Sequence, residues 1–207
     1  MEIDIKNIKR QLSSSPLPGK RIQYVMAPKE RNESDIAKTA YQDAAVSILL
    51  YEKENELYFP LIRRAKNQND KHTGQISLPG GRYEENDGDF FQCALRELSE
   101  ELGINTKSME KLGQLTDTYI PVSGYKVHSF VLYNDKEMHF TPQAGEVEYI
   151  LEIKLKDLLN EKNIKTGEIE CCGRIANDIP YFLLNNHKVW GATAMILNEF
   201  RHVILRN

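Results

Sequence analysis

The chain has little cysteine, and what there is builds no recognisable pattern. Cys93, Cys171 and Cys172 are the three in 207 residues, an odd number with two adjacent. With no CxxC or Cys/His spacing, neither a disulfide framework nor a zinc site is indicated, and a reducing, cytoplasmic setting is the expectation. Long apolar runs are missing too. The longest, around Ala44 to Tyr51, is far short of the roughly 20 residues needed to cross a bilayer, and the opening MEIDIKNIKR has no apolar signal segment. No membrane partner is expected. Nor is positive charge in excess. Lys and Arg number 27 against 30 Asp and Glu, for a net charge of −3, so no basic stripe invites nucleic acid. Internal repeats and low-complexity tracts are also lacking. What remains, 41% hydrophobic and 28% charged, is the composition of a globular chain long enough for one large domain with a real core.

The rest of the chain is arranged around the stretch from Gly80 to Ile104, GGRYEENDGDFFQCALRELSEELGI. Two glycines open it, an acid-rich loop follows, and an amphipathic helix then ends at Gly103. Phe91, Ala94, Leu95, Leu98 and Leu102 recur at helical spacing and predict the buried stripe. Asp89 suits the N-cap, Gln92 stands where a capping box would close, and Gly103 suits a left-handed C-cap. Glu97, Glu100 and Glu101 sit at i, i+3 and i+4 and share a face, where like charges cost roughly 0.2–0.5 kcal/mol per pair. Such a face is either simply solvated or built for a cation. The glycine pair tips the balance, because Gly80-Gly81 lets bare backbone approach a ligand, and hard cations such as Mg²⁺ take carboxylate and carbonyl oxygens. Arg96, four before Glu100 and beside Glu97, can orient and partly neutralise the cluster.

Taken in order, Ile3, Ile5, Ile8 and Leu12 predict a short helix that packs on the body, and the Ser/Pro/Gly run at 13–20 stops it. The polar segment 27–38 holds another possible short helix. Ala44–Tyr51 and Leu57–Arg63 read as strands joined by a polar turn. Arg63 and Arg64 end the second, as surface charges or as a bidentate grip on phosphate. A loop then leads through His72-Thr73-Gly74-Gln75 to Pro79, with His72 either contacting substrate phosphate or capping the loop. Beyond the helix, strands are expected at Leu112–Ile120, Val127–Leu132, Val147–Ile153, Ile164–Cys172 and Tyr181–Leu184. A brief helix at Lys156–Leu159 and a final one from Ala192 to Val203 complete the set. Trp190 is either a core anchor or a base-stacking platform. Strands and helices do not alternate regularly, so an α+β sandwich fits better than a doubly wound sheet.

Gly81, followed at a distance by Arg96-Glu97-Leu98-Ser99-Glu100-Glu101-Leu102-Gly103-Ile104, resembles the Nudix box, Gx₅Ex₇REUxEExGU. Asp87 takes the place of the box's first glutamate, with eight residues rather than seven before Arg96. That insertion, the run LIRRAKNQNDKHTGQISLPGG at 61–81, and the stretches 122–127 and 189–194 resemble the coenzyme A pyrophosphatase branch of the Nudix hydrolases. Asp70 stands where that branch commonly has a basic residue, and Leu78 where it has an aromatic one. The resemblance implies the Nudix fold, an α/β/α sandwich with a mixed β-sheet between helices, here over 41–207 with 1–40 as a helical extension. It implies hydrolysis of a nucleoside diphosphate derivative, coenzyme A foremost, with ADP-ribose, nucleotide sugars, dinucleoside polyphosphates or a non-catalytic ligand sensor as rivals. It assigns Glu97, Glu100 and Glu101 to Mg²⁺ or Mn²⁺, with a carbonyl at Gly80 or Gly81 as a further ligand, and Arg96 to holding a glutamate. A later acidic residue, Glu146 or Glu148, is implied as ligand or base. Arg63, Arg64, His72 and Gln75 are the substrate-binding candidates, and a homodimer fits the family's habit.

Overall fold

The computed structural model describes residues 3–13, 16–28, 41–65, 72–171 and 173–206. Its axis is strand β1 (Gln42–Lys53). A two-residue turn at Glu54 and Asn55, with φ of 53° and 59°, folds β1 back antiparallel onto β2 (Glu56–Arg64). β3 (Ile76–Ser77) pairs with β2, while β4 (Gly80–Arg82) pairs antiparallel with β1. On its other edge β1 runs parallel to β7 (Tyr125–Asn134), which also carries β5 (Glu110–Gln114) and β6 (Thr118–Ile120). β8 (Val147–Lys154) closes the far side of β2. These eight strands form one mixed sheet, and β9 (Ile164–Cys171), β10 (Arg174–Leu184) and β11 (His187–Trp190) form a second, antiparallel one.

Both faces of the main sheet are covered, which explains the near-continuous apolar run in β1. Ala44, Ile48 and Leu50 point into the larger core, shared with Ile8 and Leu12 of α1 (Ile5–Ser13) and with Leu197 and Phe200 of the last helix (Gly191–Leu205). Leu49 and Ile62 point the other way, under Leu98 and Leu102 of the glutamate helix (Phe90–Leu102). The result is the expected sandwich of helices around a mixed sheet.

Some boundaries differ from the sequence expectation. Leu112–Ile120 is two strands, β5 and β6, because the intervening residues turn away to serve other partners. The N–H and hydroxyl of Thr116 donate to Glu199, and Asp117 pairs with Lys126 and His128. Residues 29–38 of the possible early helix lie outside the described residues, and a helical turn falls earlier, at α2 (Lys20–Gln23) with a 3-10 turn at Tyr24–Met26. The glutamate helix is α3, α4 is Leu155–Leu159 and the last helix is α5. β11 was not expected; it is set off from β10 by Asn185 and Asn186, both at positive φ.

The N-terminal segment is tied to α5 by a buried polar network. Glu199, with no exposed surface, accepts hydrogen bonds from Gly19 N (2.9 Å), Gln23 Nε2 (2.7 Å), and Thr116 N and Oγ1 (3.2 and 2.7 Å). Removing the carboxyl strands several buried donors at once, each costing about 1–3 kcal/mol when unsatisfied. Glu199→Ala is therefore expected to lower the free energy of unfolding by about 3 kcal/mol or more, read from a urea titration. An unchanged midpoint would show that the donors find other partners.

Candidate active site

Helix α3 starts on the predicted cap, with Asp89 Oδ1 accepting from Gln92 N at 2.7 Å. The reciprocal capping box forms one turn earlier, in the 3-10 turn Glu85–Asp87 that absorbs the extra loop residue, between Glu84 and Asp87. At the far end Gly103 takes the left-handed C-cap with φ of 65°. Ala94, Leu98 and Leu102 are buried as the spacing predicts, but Glu97 and Glu101 are buried with them, at 9% and 3% exposure. Glu100 is different: its side chain keeps 49% of its surface. The three glutamates are thus not equivalent. Two face the glycine strand and one faces solvent.

The glycines explain how two carboxylates fit there. A Cβ on Gly81 would lie 2.4 Å from Glu97 Oε1, and one on Gly80, at φ of 148°, would lie 2.2 Å from the carbonyl oxygen of Ala45. Only bare backbone allows β4 to sit between β1 and the carboxylate. Gly80 N also donates to Glu101 Oε2 at 2.8 Å.

Arg96 organises the other side. Its Nη1 donates to Glu97 Oε1 (2.8 Å) and Glu100 Oε2 (2.9 Å), its Nε to Asp87 Oδ1 (2.6 Å), and its Nη2 to Asp87 Oδ2 (3.1 Å) and the Arg82 carbonyl (3.0 Å). Asp87, whose side chain is 3% exposed, takes the bidentate grip. The hydrogen bonds from Arg96 hold its carboxyl below the usual range. In the sequence Asp87 stands out only as a departure from the box. Its signal was its place six residues after Gly81, ahead of an arginine in need of a counter-charge.

Other elements bring in the remaining candidates. Loop 141–146 docks on the end of α3 through Thr141 N to Leu102 O (2.8 Å) and Gln143 N to Glu101 O (3.2 Å). Glu146 thereby comes close enough to push the carboxyls of Glu97 and Glu101 upward, and Arg64 close enough to oppose this at Glu101. Arg63, one residue earlier and on the opposite face of the strand, donates from Nε to Glu148 Oε2 (3.0 Å) and from Nη1 to the Tyr149 hydroxyl (3.3 Å). Glu148 is thus engaged by Arg63 rather than by the glutamate helix. The His72–Gln75 turn lies beside Arg64, with Arg64 N donating to Gln75 O (3.0 Å). His72 Nδ1 meets Gln75 Oε1 at 3.2 Å, and Gln75 Nε2 reaches Cys171 Sγ at 3.1 Å, so these side chains brace the loop against β9. Asp70 and Cys172 lie outside the described residues. Leu78, at 3% exposure, belongs to the core shared with α1 and α5.

Burial is the first cause of the shift at both inner glutamates; it raises Glu97 and pushes Glu101 up to about 8 despite the Gly80 N–H. Among the described residues no three Asp, Glu, His or Cys side chains converge closely enough to hold a metal as they stand. Glu97 and Glu100 are drawn instead to Arg96. The donor set nonetheless fits a hard divalent cation. It consists of oxygens, two of its carboxylates are desolvated, and the Gly81 cradle leaves the Glu97 carboxylate against bare backbone.

The NUDIX domain family matches residues 41–169, the span that carries the glycine strand, α3 and loop 141–146. The chain belongs to the Nudix family. Nudix hydrolase 22, chloroplastic, of Arabidopsis thaliana is 27% identical over 84% of this chain and 62% of its own length. Mitochondrial coenzyme A diphosphatase NUDT8 of Mus musculus is 32% identical over 61% of this chain and 60% of its own. The chain thus spans about three fifths of those relatives. A MutT/nudix family protein from Enterococcus faecalis superposes with a TM-score of 0.51 at 14% identity, over 99% of this chain and 75% of that one, a likeness of fold. As the relatives' names include mitochondrial and chloroplastic proteins, they do not carry the cytoplasmic expectation. No helix among the described residues is long and apolar enough to cross a membrane.

A buried carboxyl near 8 has a consequence for stability. The folded protein keeps a proton on Glu101 that the unfolded chain releases near the ordinary 4.5. Its contribution is full below about 4.5 and is lost as pH rises through about 8. With divalent cations removed by EDTA, the melting temperature of the wild type relative to Glu101→Gln is expected to fall across that window, and saturating Mg²⁺ to flatten the fall. A difference independent of pH would refute the desolvation of Glu101.

Proposed function

We propose that the chain is a divalent-metal-dependent pyrophosphohydrolase that cleaves the diphosphate bridge of a nucleoside diphosphate derivative. The substrate proposed is coenzyme A or an acyl-coenzyme A, giving 3′,5′-ADP and (acyl-)4′-phosphopantetheine. The observation that carries the reading is the pair of desolvated carboxylates, Glu97 and Glu101, packed against the Gly80-Gly81 strand with Arg64 and Glu146 in electrostatic reach. A solvated surface helix has no reason to bury two carboxyl groups, whereas a cation site does. The choice of coenzyme A rests on the stretch 61–81 and on the relative named as a coenzyme A diphosphatase. A cytoplasmic homodimer, built from a 41–207 hydrolase domain and a 1–40 extension, belongs to the same proposal.

In this reading Glu97, Glu100 and Glu101, with a carbonyl at Gly80 or Gly81, hold Mg²⁺ or Mn²⁺. When bound, such a cation neutralises the diphosphate and makes an attacking water more acidic. The chain's own residues do the rest. Arg96, locked by Asp87, holds Glu97 and Glu100 near the glycine strand, and these two carboxylates turn from Arg96 toward the cation as the site fills. Arg64, facing the glutamates, grips phosphate oxygens of the substrate, while Arg63 stays engaged with Glu148 and Tyr149 on the other face of the strand. His72 and Gln75 shape the loop beside it. Glu146 accepts the proton of the attacking water, a role for which its neighbour Glu148 is less suited while it is held by Arg63.

Release of phosphorylated products from a panel of coenzyme A, ADP-ribose, a nucleotide sugar and a dinucleoside polyphosphate, with Mg²⁺ and with Mn²⁺, tests the substrate. Coenzyme A is expected to lead. A preference for another member moves the assignment within the family, and release from none favours a ligand sensor. Replacing Glu100 and Glu101 together by Gln is expected to cut turnover by orders of magnitude with the fold intact; near-normal rates in that variant reject the mechanism. Glu146→Gln is expected to lose about 10²–10⁴ in kcat, the range for a general base, and Glu148→Gln much less. The reverse order would hand the proton to Glu148.

A further inference from the structure

A second charged cluster sits behind the start of α3, and the reaction just described does not use it. His128 on β7 is 4% exposed. Its Nε2 lies 2.9 Å from Asp43 Oδ1 on β1, and its Nδ1 3.0 Å from Asp117 Oδ1 in the turn between β5 and β6. Lys126, also on β7, reaches Asp117 Oδ2 at 2.9 Å and lies 5.9 Å from the centroid of the Tyr41 ring. The imidazole is stacked on Phe90, the first residue of α3, with centroids 3.8 Å apart and planes 8° from parallel, and Tyr83 packs edge-on against Phe90 at 5.0 Å.

Two features of this geometry specify the charge of the ring. A neutral imidazole has one N–H and one lone pair, so between two carboxylates it would aim the lone pair at one of them. Both nitrogens here face carboxylate oxygens, which suits two donors. Close face-to-face stacking is also what neutral aromatic pairs avoid and what a cation over a ring face favours. Burial pulls the pKa of His128 down, but the hydrogen bonds to Asp117 and Asp43 outweigh it and the net shift is upward. Asp117 is held at about 2, burial being outweighed by His128 and Lys126. With His128 protonated, two cations balance two carboxylates.

The cluster also touches both halves of the site. Asp43 precedes the β1 residues that pair with Arg82 and Gly81, and its carbonyl accepts from Tyr83 N at 3.0 Å. Phe90 begins the helix that carries Glu97 about two turns later. We propose that His128 is a doubly protonated imidazolium that clamps the start of the glutamate helix to the glycine strand, and so acts as a positioning residue for the site. Its charge state stands on the geometry alone; its value to the site rests on the function proposed above.

Nitrogen-15 NMR of the full-length chain tests the charge. Both ring nitrogens of His128 are expected to carry protons at pH 7, with a midpoint above 6.5 that falls in Phe90→Leu, where the carboxylates stay but the ring face is lost. A neutral ring at pH 7 overturns the imidazolium, and a midpoint untouched by Phe90→Leu overturns the part given to the Phe90 ring. Amide hydrogen exchange tests the clamp. His128→Gln and Phe90→Leu are expected to speed exchange in the first turns of α3 more than in its last turn, and to weaken Mn²⁺ binding, followed by electron paramagnetic resonance, on the order of tenfold. Should His128→Gln not fold, Phe90→Leu carries both readouts. Unchanged exchange overturns the clamp, and unchanged Mn²⁺ affinity in a folded variant overturns the positioning role. If the wild type binds no Mn²⁺, the metal reading fails, while NMR and exchange still decide the charge and the clamp.

Discussion

Everything at the site depends on one close approach, the carboxylate of Glu97 against the bare backbone of Gly81. Because a Cβ there would push the carboxylate aside, glycine at this position is what lets the Glu97 carboxylate rest against β4. The apolar packing of Ala94, Leu98 and Leu102 seats the helix at that depth on the sheet. It takes Glu97 and Glu101 out of water, and Glu101 then meets the Gly80 N–H. Burying a carboxylate costs several kcal/mol unless something compensates, and without a cation Glu101 meets that cost by keeping its proton. Arg96 compensates Glu97 from the solvent side, and a cation in front of the helix would compensate the pair. A structural demand of packing and a chemical demand for charge thus meet in the same few atoms.

Rigidity comes from both ends of α3. Near the loop, Arg96 is gripped by Asp87, which is itself set by the capping box with Glu84. At the helix start Phe90 rests on His128. At the helix end Gly103 turns the chain, and loop 141–146 returns to bond with Glu101 and Leu102. The glutamates sit between fixed points, as a site that must hold geometry to fractions of an ångström requires. The sheet beneath them is clad on its other face by α1 and α5, so the platform is itself an interior layer.

Much of this was legible beforehand. The period of Phe91, Ala94, Leu95, Leu98 and Leu102 predicted the helix and its buried stripe, Asp89 and Gly103 its ends, and the apolar run of β1 a strand. Of that stripe, Phe91 and Leu95 are only partly buried. The Glu54-Asn55 turn lay inside the polar stretch between the first two expected strands. Harder to read was the region 112–120, where uniform strand character hid a break imposed by Glu199 and His128, residues distant in sequence. The division among the glutamates was hidden as well. Helical spacing put Glu97, Glu100 and Glu101 on one face, but the width of that face allowed two to be buried and one to remain in water.

The same contrast runs through the candidate site. The sequence by itself determined which chemistry is present, since residue types, caps and spacings are local properties: a capped helix bearing Arg96 and three glutamates after a glycine pair, in a chain with no basic tract. Only the tertiary structure decided which of two equivalent-looking residues faces the glutamate helix. Arg64 rather than Arg63, and Glu146 rather than Glu148, approach the glutamates, because strand parity and loop docking set that choice. It also gave Asp87 a partner in Arg96, and His128 two carboxylates and a ring. Periodicity tells which way a side chain points from its own element. What it meets depends on elements brought together from far along the chain.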